Sequence, residues 1–292
     1  MTLDKIFDNF TSKMLEIELF KRVVEDSSNK ELSELIKNSK EIKKLSKEEQ
    51  DEFYEGHNFI FYSALDGKVK FYGNKNLTIK EMQKLTVNRK NKQYQWLLVD
   101  AYEAFEDFIE DIFAYLGYKD KNLWMMSDYG NIYPSEIDNK DYTWFLEQSR
   151  KKKDRPKSIL NHLRKKFPKI EQLESNNKLN VNLKLSLIIC ENFRHIIVHE
   201  NGIIKNDVKF TQKLLEKAGL YNNGNPNNSY KDFIKQFFGI NEYANHIMLL
   251  DRSINHKSNV FNMKIDVLSM FIRYLIAYAE VIKSEVQKIE NI

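Results

Sequence analysis

The stretch ENFRHIIVHENG, residues 191–202, gathers side chains capable of acid–base and phosphate chemistry within one of the most apolar parts of the chain. On a helix each residue advances by about 100°, which places polar residues along one side and aliphatic residues along the other. The polar set is Glu191, Asn192, Arg194, His195 and His199. Histidine exchanges a proton near neutral pH, and the arginine fork binds phosphate oxygens. The pattern therefore predicts either a buried polar network or a functional site.

Three interpretations of this polar side stay open from the residues alone. In the first, the side chains pair with one another in the interior, where each buried charge needs a partner. In the second, His195 and His199 bind a divalent metal with Glu191, although the Glu between the histidines of zinc proteases and the Glu-x-x-His pairs of carboxylate-bridged bundles are missing. Further ligands would then come from another helix, such as Glu103, Glu106 and Glu110. In the third, the set handles phosphate with no metal and no other cofactor.

A second concentration of charge lies at residues 150–169, the basic window, where ten Lys or Arg residues stand against Asp154. The window carries a net charge of +9 and the whole chain +4, so the remainder carries −5. A positive segment on an acidic body is typical of a phosphate-binding surface, and a solvated charged linker is the alternative. The residues predicted to bind a nucleic-acid backbone are Lys151, Lys152, Lys153, Arg155, Lys157, Arg164, Lys165 and Lys166.

The elements that must position these residues are mostly helices, because 9 Gly and 4 Pro are too few for the turns of an all-β fold. An apolar stripe from Leu98 to Leu116 predicts a long helix that ends near Gly117. The Asp66-Gly67 pair between aromatic segments predicts a small β-hairpin over about residues 58–72. We predict a mainly α fold: an N-terminal helical region over 1–90 that carries the hairpin, and a helical bundle over 91–292 with a basic insertion at about 118–180.

Composition also indicates a compartment. The single Cys190 excludes an internal disulfide and suits a reducing cytosol. The opening MTLDKIFDNF has acids where the apolar core of a signal peptide would lie. The longest apolar run, over about 267–282, is interrupted by polar residues and is too short to span a bilayer. These features predict a soluble cytoplasmic protein without membrane association.

The segment RHIIVH, with Arg194 and His199 separated by four residues, resembles the Arg-x4–6-His motif of the HEPN superfamily (higher eukaryotes and prokaryotes nucleotide-binding domains). LLVDAYEAFEDFIEDIF looks like the first long helix of these domains, and KIDVLSMFIRYLIAYAEVI is similar to their closing helix. The resemblance covers about residues 93–292. Arg155 and His162 also fit the spacing, but Pro156 directly after the Arg disfavours a continuous helix there.

The resemblance implies a HEPN-like helical bundle that acts as a metal-independent endoribonuclease, as a toxin or in abortive-infection and antiviral defence. It implies His199 as the general acid–base residue, Arg194 as the phosphate clamp and His195 as an orienting group, with Glu191 and Asn192 holding Arg194 and His195. RNA is then the substrate, with products that end in 2′,3′-cyclic phosphate and 5′-OH. A homodimer that joins two motif helices in one cleft, and an antitoxin or defence-system partner, are further expectations. The alternative is a HEPN-like module that no longer cuts and binds a nucleotide or docks a partner.

Overall fold

The fold is that of a computed structural model, which describes residues 1–47, 55–222, 225–226, 228–253 and 264–291 of the 292-residue chain. Helices dominate, and the predicted mainly α fold with a small hairpin is confirmed. The helices are α1 (Leu3–Ile42), α2 (Ile79–Lys119), α3 (Pro134–Ile137), α4 (Tyr142–Lys151), α5 (Lys157–Lys166), α6 (Pro168–Ser175), α7 (Leu183–Glu200), α8 (Asp207–Ala218), α9 (Asn228–Lys235) and α10 (Val267–Gln287). Across those ranges, none of the helices combines the length and apolar content needed to cross a membrane.

Short elements connect the helices. Single 3-10 turns lie at Lys121–Leu123, Met126–Tyr129, Asn241–Tyr243 and Lys288–Asn291. Within the described ranges the strands form three antiparallel pairs, β1 with β2, β3 with β4, and β5 with β6. Their bounds are β1 (Glu55–Tyr62), β2 (Val69–Leu77), β3 (Tyr221–Asn222), β4 (Asn225–Pro226), β5 (Arg252–Ser253) and β6 (Lys264–Ile265).

The chain forms two compact units, one of Met1–Leu19 with Tyr94–Ile292 and one of Phe20–Gln93. The sequence predicted a single division between residues 90 and 91. The start of α1 belongs with the larger unit because Phe10 packs on Phe105 and Phe108 of α2, with ring centroids 6.1 and 5.0 Å apart. Apolar contacts between residues about a hundred positions apart therefore decide where the first residues belong.

In the smaller unit, the β1–β2 hairpin pairs Phe59 with Tyr72 and Tyr62 with Val69. The hairpin is confirmed, although its strands are joined by the six residues 63–68 rather than by a two-residue Asp-Gly turn. Gly67 adopts φ +67°, a conformation that glycine reaches without steric cost, and its N–H donates to the Ser63 carbonyl.

In the larger unit, the predicted stripe of α2 is buried from Leu98 to Leu116. The helix continues two residues past Gly117, which was predicted to end it. A Cβ on Gly117 would lie 2.4 Å from the ring of Trp124, so this glycine admits a close aromatic contact inside the helix. The apolar side of α7 enters the same unit through Phe193, whose ring lies 6.2 Å from that of Phe271 on α10. This packing fixes the rotation of α7 about its own axis.

Candidate functional site

The motif helix α7 keeps regular geometry through His199 and ends at Glu200. Asn201 and Gly202 then take left-handed conformations, with φ of 55° and 77°. A Cβ on Gly202 would also lie 2.6 Å from the amide of the Gln95 side chain, so that side chain would have to move. The predicted glycine-marked end is therefore present, and His199 occupies the last turn.

The face of α7 opposite the core carries Arg194, His195, Val198 and His199. Both histidines are exposed, and their ring centroids are 4.8 Å apart. Val198 between them is 40% exposed. These side chains face outward, so the interpretation as a mutually paired buried network does not fit their placement.

Arg194 is held by an acid from another helix. Its Nε and Nη2 donate to the same carboxylate oxygen of Glu103 on α2, at 3.3 and 2.9 Å. The resemblance implies this supporting role for Glu191, three residues earlier on α7, together with Asn192, whereas the sequence analysis names Glu103 only as a possible metal ligand. The pairing with Glu103 corrects that assignment.

Glu191 and Asn192 instead meet Lys217 of α8. The Lys217 ammonium donates to the Asn192 side-chain oxygen at 3.0 Å and lies 3.8 Å from the Glu191 carboxylate. Asn192 is buried, and its amide also donates to the Ile188 carbonyl at 2.7 Å. These two residues therefore join α7 to α8, and neither contacts Arg194 or His195 among the hydrogen bonds and ion pairs of the described residues.

Glu106, one turn after Glu103 on α2, also lies near Arg194, and the sequence analysis names it only as a possible metal ligand. Burial raises its pKa to about 7; the nearby Arg194 cation opposes this shift, while the carboxylates of Glu103 and Glu110 add to it. A carboxyl group that titrates near neutral pH beside an arginine is a common feature of functional sites. The only sequence signal was the spacing of Glu103, Glu106 and Glu110 on one face, which ordinary solvated helices share.

The basic window divides into paired and unpaired cations. Three of the predicted RNA-binding residues form ion pairs, Lys152 with Asp128, Arg155 with Glu110 and Arg164 with Glu174. Lys166 is exposed and donates to the Asn122 carbonyl at 3.2 Å. The remaining four are exposed and have no ion pair within the described part of the chain; they are Lys151, Lys153, Lys157 and Lys165.

The second Arg-x4–6-His match, Arg155 with His162, has a different environment. His162 is buried on α5, where its Nε2 lies 2.6 Å from the Leu123 carbonyl oxygen. Burial also lowers the pKa of this imidazole. The Arg155 guanidinium donates to the Glu110 carboxylate. The pair therefore stabilises the packing of α5, whereas Arg194 and His199 face outward.

The outward face of α7 was also considered as a metal site. In the ranges that the structure describes, no three His, Cys, Asp or Glu side chains are grouped so that they could hold a metal ion.

Comparisons of the chain with protein-family models, with curated proteins and with solved structures find no match. The arrangement of these side chains and the motif therefore remain as the guides to function.

Proposed function

We propose that this protein is a metal-independent endoribonuclease of the HEPN type, with Arg194 and His199 as its catalytic residues. The observation that carries the proposal is the shared exposure of Arg194, His195 and His199 on one face of α7, while the opposite face packs into the core. A proton-transferring imidazole and a phosphate-binding guanidinium on one rigid helix meet the needs of metal-free RNA cleavage.

The proposed reaction is a transesterification at phosphorus. The ribose 2′-oxygen bonds to phosphorus while the bond from phosphorus to the 5′-oxygen breaks. A base accepts the 2′-hydroxyl proton and an acid supplies a proton to the leaving 5′-oxygen, which gives 2′,3′-cyclic phosphate and 5′-OH ends. In a homodimer, each subunit contributes one His199, so that one accepts the first proton and the other donates the second. His195 orients the scissile phosphate.

To bind the scissile phosphate, the Arg194 guanidinium must first release the Glu103 carboxylate. Their side chains are 34% and 51% exposed, and an exposed ion pair contributes only about 0–1 kcal/mol. A charge-stabilising donor in a transition state contributes about 2.7–4 kcal/mol. Stabilising the phosphate in the transition state therefore outweighs the pair, and Glu103 competes with the phosphate for the guanidinium between reactions.

The exposed Val198 between the histidines supports the expected homodimer, because association would cover it and bring two copies of the catalytic face together. We place the protein in the cytoplasm, where its one cysteine suits the reducing conditions. A toxin or antiphage role, with an antitoxin or another defence component as partner, belongs to the same proposal and rests on the motif.

The second candidate function is a module that binds a nucleotide or a partner without cutting. The Arg194–Glu103 pair favours it, since a permanently neutralised guanidinium would have no catalytic role. The two candidates separate in one experiment. Total cellular RNA is incubated in EDTA with wild type, Arg194→Ala or His199→Ala, and new 2′,3′-cyclic phosphate ends are counted. The nuclease proposal expects ends with wild type alone, and an inert wild type supports the module that does not cut.

A further inference from the structure

A cavity of about 250 Å³ lies beside the catalytic helix, within the larger unit. It is lined by the first half of α7, one face of α5, the end of α8 and Tyr102 of α2. Glu191 lines it, and this residue is one turn before Arg194 and His195 on α7. The cavity and the exposed catalytic face are therefore neighbours along a single helix.

The lining is strongly positive. Lys157, Arg164, Lys184 and Lys217 line the cavity, and Glu191 is the acid among its lining residues. Arg164 is neutralised by Glu174, and Lys217 is shared with Glu191 and Asn192. Lys157 and Lys184 form no ion pair with any residue that the structure describes. Two uncompensated ammonium groups at one cavity favour an anionic ligand.

The rest of the wall is apolar. Leu160, Leu187 and the ring of Tyr102 are buried and contribute to it. The ligand should therefore combine an anionic group with a flat or apolar body. The volume is near the lower limit of small-molecule sites, about 300 Å³, so it suits one compact unit rather than a dinucleotide.

We propose that this cavity binds one nucleoside monophosphate unit, with its phosphate between Lys157 and Lys184 and its base against Leu160, Leu187 and Tyr102. The unit has two sources, a nucleotide of the RNA strand next to the scissile phosphate or a free nucleotide. The first source rests on the proposed ribonuclease function, whereas the second does not.

The test uses the full chain with His199→Ala, so that RNA is bound without being cut. Binding of adenosine 5′-monophosphate, uridine 5′-monophosphate and a short single-stranded RNA is measured by calorimetry. The test variant is Lys157→Glu with Lys184→Glu. The matched control is Lys178→Glu with Lys209→Glu, which makes the same charge change at exposed positions outside the cavity. Replacing two charge-assisted contacts should weaken binding by roughly tenfold or more, and the control should change affinity less than threefold.

The outcomes separate the two sources. If the cavity variant weakens RNA binding alone, the nucleotide belongs to the RNA strand. If it weakens binding of the free nucleotides, and RNA does not compete for them, the cavity takes a free nucleotide. Equal losses in the cavity variant and the control, or no loss in either, overturn the proposal.

The ribonuclease proposal is judged separately from this result. Cleavage is measured with the parent protein that retains His199. Nucleotide binding that depends on Lys157 and Lys184 in a protein that cuts no RNA leaves the cavity assignment standing and removes the catalytic one. If the parent protein cleaves RNA normally and the cavity variant binds nucleotides and RNA like its control, the catalytic assignment stands and the cavity assignment falls.

Discussion

Arg194 donates from Nε and Nη2 to a single carboxylate oxygen of Glu103, a residue 91 positions earlier in the chain. The contact joins the proposed phosphate clamp to the acidic face of α2. Because both side chains are partly exposed, the bond is weak enough to be exchanged for a phosphate.

Removing the Glu103 charge should make Arg194 more available to RNA. In the His199→Ala background, Glu103→Gln should tighten binding of single-stranded RNA by up to about fivefold, the equivalent of one exposed ion pair. Fluorescence anisotropy measures the effect. The control is Asp107→Asn, which removes an exposed acid of the same helix that pairs with Lys13 at 2.7 Å. A weaker affinity for Glu103→Gln would show that Glu103 positions Arg194 rather than competing for it.

Alanine substitutions in the two Arg-x4–6-His pairs should affect different properties, RNA cleavage for Arg194 and His199 and stability for Arg155 and His162. Arg194→Ala and His199→Ala should each lower RNA cleavage by about 10²–10⁴-fold, with a melting temperature near that of wild type, because both residues face outward. His162→Ala should instead lower stability by about 1–3 kcal/mol through a lost buried contact, and Arg155→Ala should cost less. Both should cleave nearly normally below their melting temperatures. Loss of cleavage confined to the Arg155 and His162 variants would overturn the assignment of Arg194 and His199.

Glu106 should make stability depend on pH. Its pKa is about 7 in the folded protein against an ordinary 4.5, so between these values the folded state keeps a proton that the unfolded chain has lost. The free energy of unfolding should therefore fall as pH rises through this window. Glu106→Gln, which cannot ionise, should melt with wild type near pH 4.5 and about 2–5 °C higher near pH 8. The exposed Glu147→Gln is the control; if Glu106→Gln follows wild type at every pH, the shift is absent.

The unpaired lysines of the basic window should bind phosphates. Replacing Lys151, Lys153 and Lys165 with Ser should weaken RNA binding and reduce the slope of log affinity against log salt by up to about 2, or roughly 0.7 for each lost contact. Turnover of bound RNA should change little. Lys152→Ser should chiefly lower the melting temperature, because Lys152 is largely buried in its pair with Asp128. A salt slope that stays unchanged in the triple variant would identify the window as a solvated linker.

Association of two copies through the proposed catalytic face of α7 should depend on Val198. Val198→Glu places a charge at the expected interface, so it should yield monomers in light scattering at micromolar concentration and lose RNA cleavage together with the dimer. Val208→Glu changes another exposed valine, on α8, and should retain both properties. A dimer that survives Val198→Glu would place the interface elsewhere.

The sequence by itself determined the features that repeat along the chain. The stripe from Leu98 to Leu116 predicted α2, and the mixed polar and apolar pattern around Arg194 predicted a helix with one buried side and one polar side. The Asp66-Gly67 signal predicted the hairpin. These inferences succeeded because helix and strand periods are local, so a residue's face follows from its spacing to near neighbours.

Only the tertiary structure decided which charges meet. It paired Arg194 with Glu103, turned Glu191 and Asn192 towards Lys217, and neutralised Lys152 while leaving Lys151 free of an ion pair in the described chain. It also raised the pKa of Glu106 by burial. Such partners lie on different helices, and their distances depend on how the helices pack and rotate against one another. No spacing within a single segment contains that information.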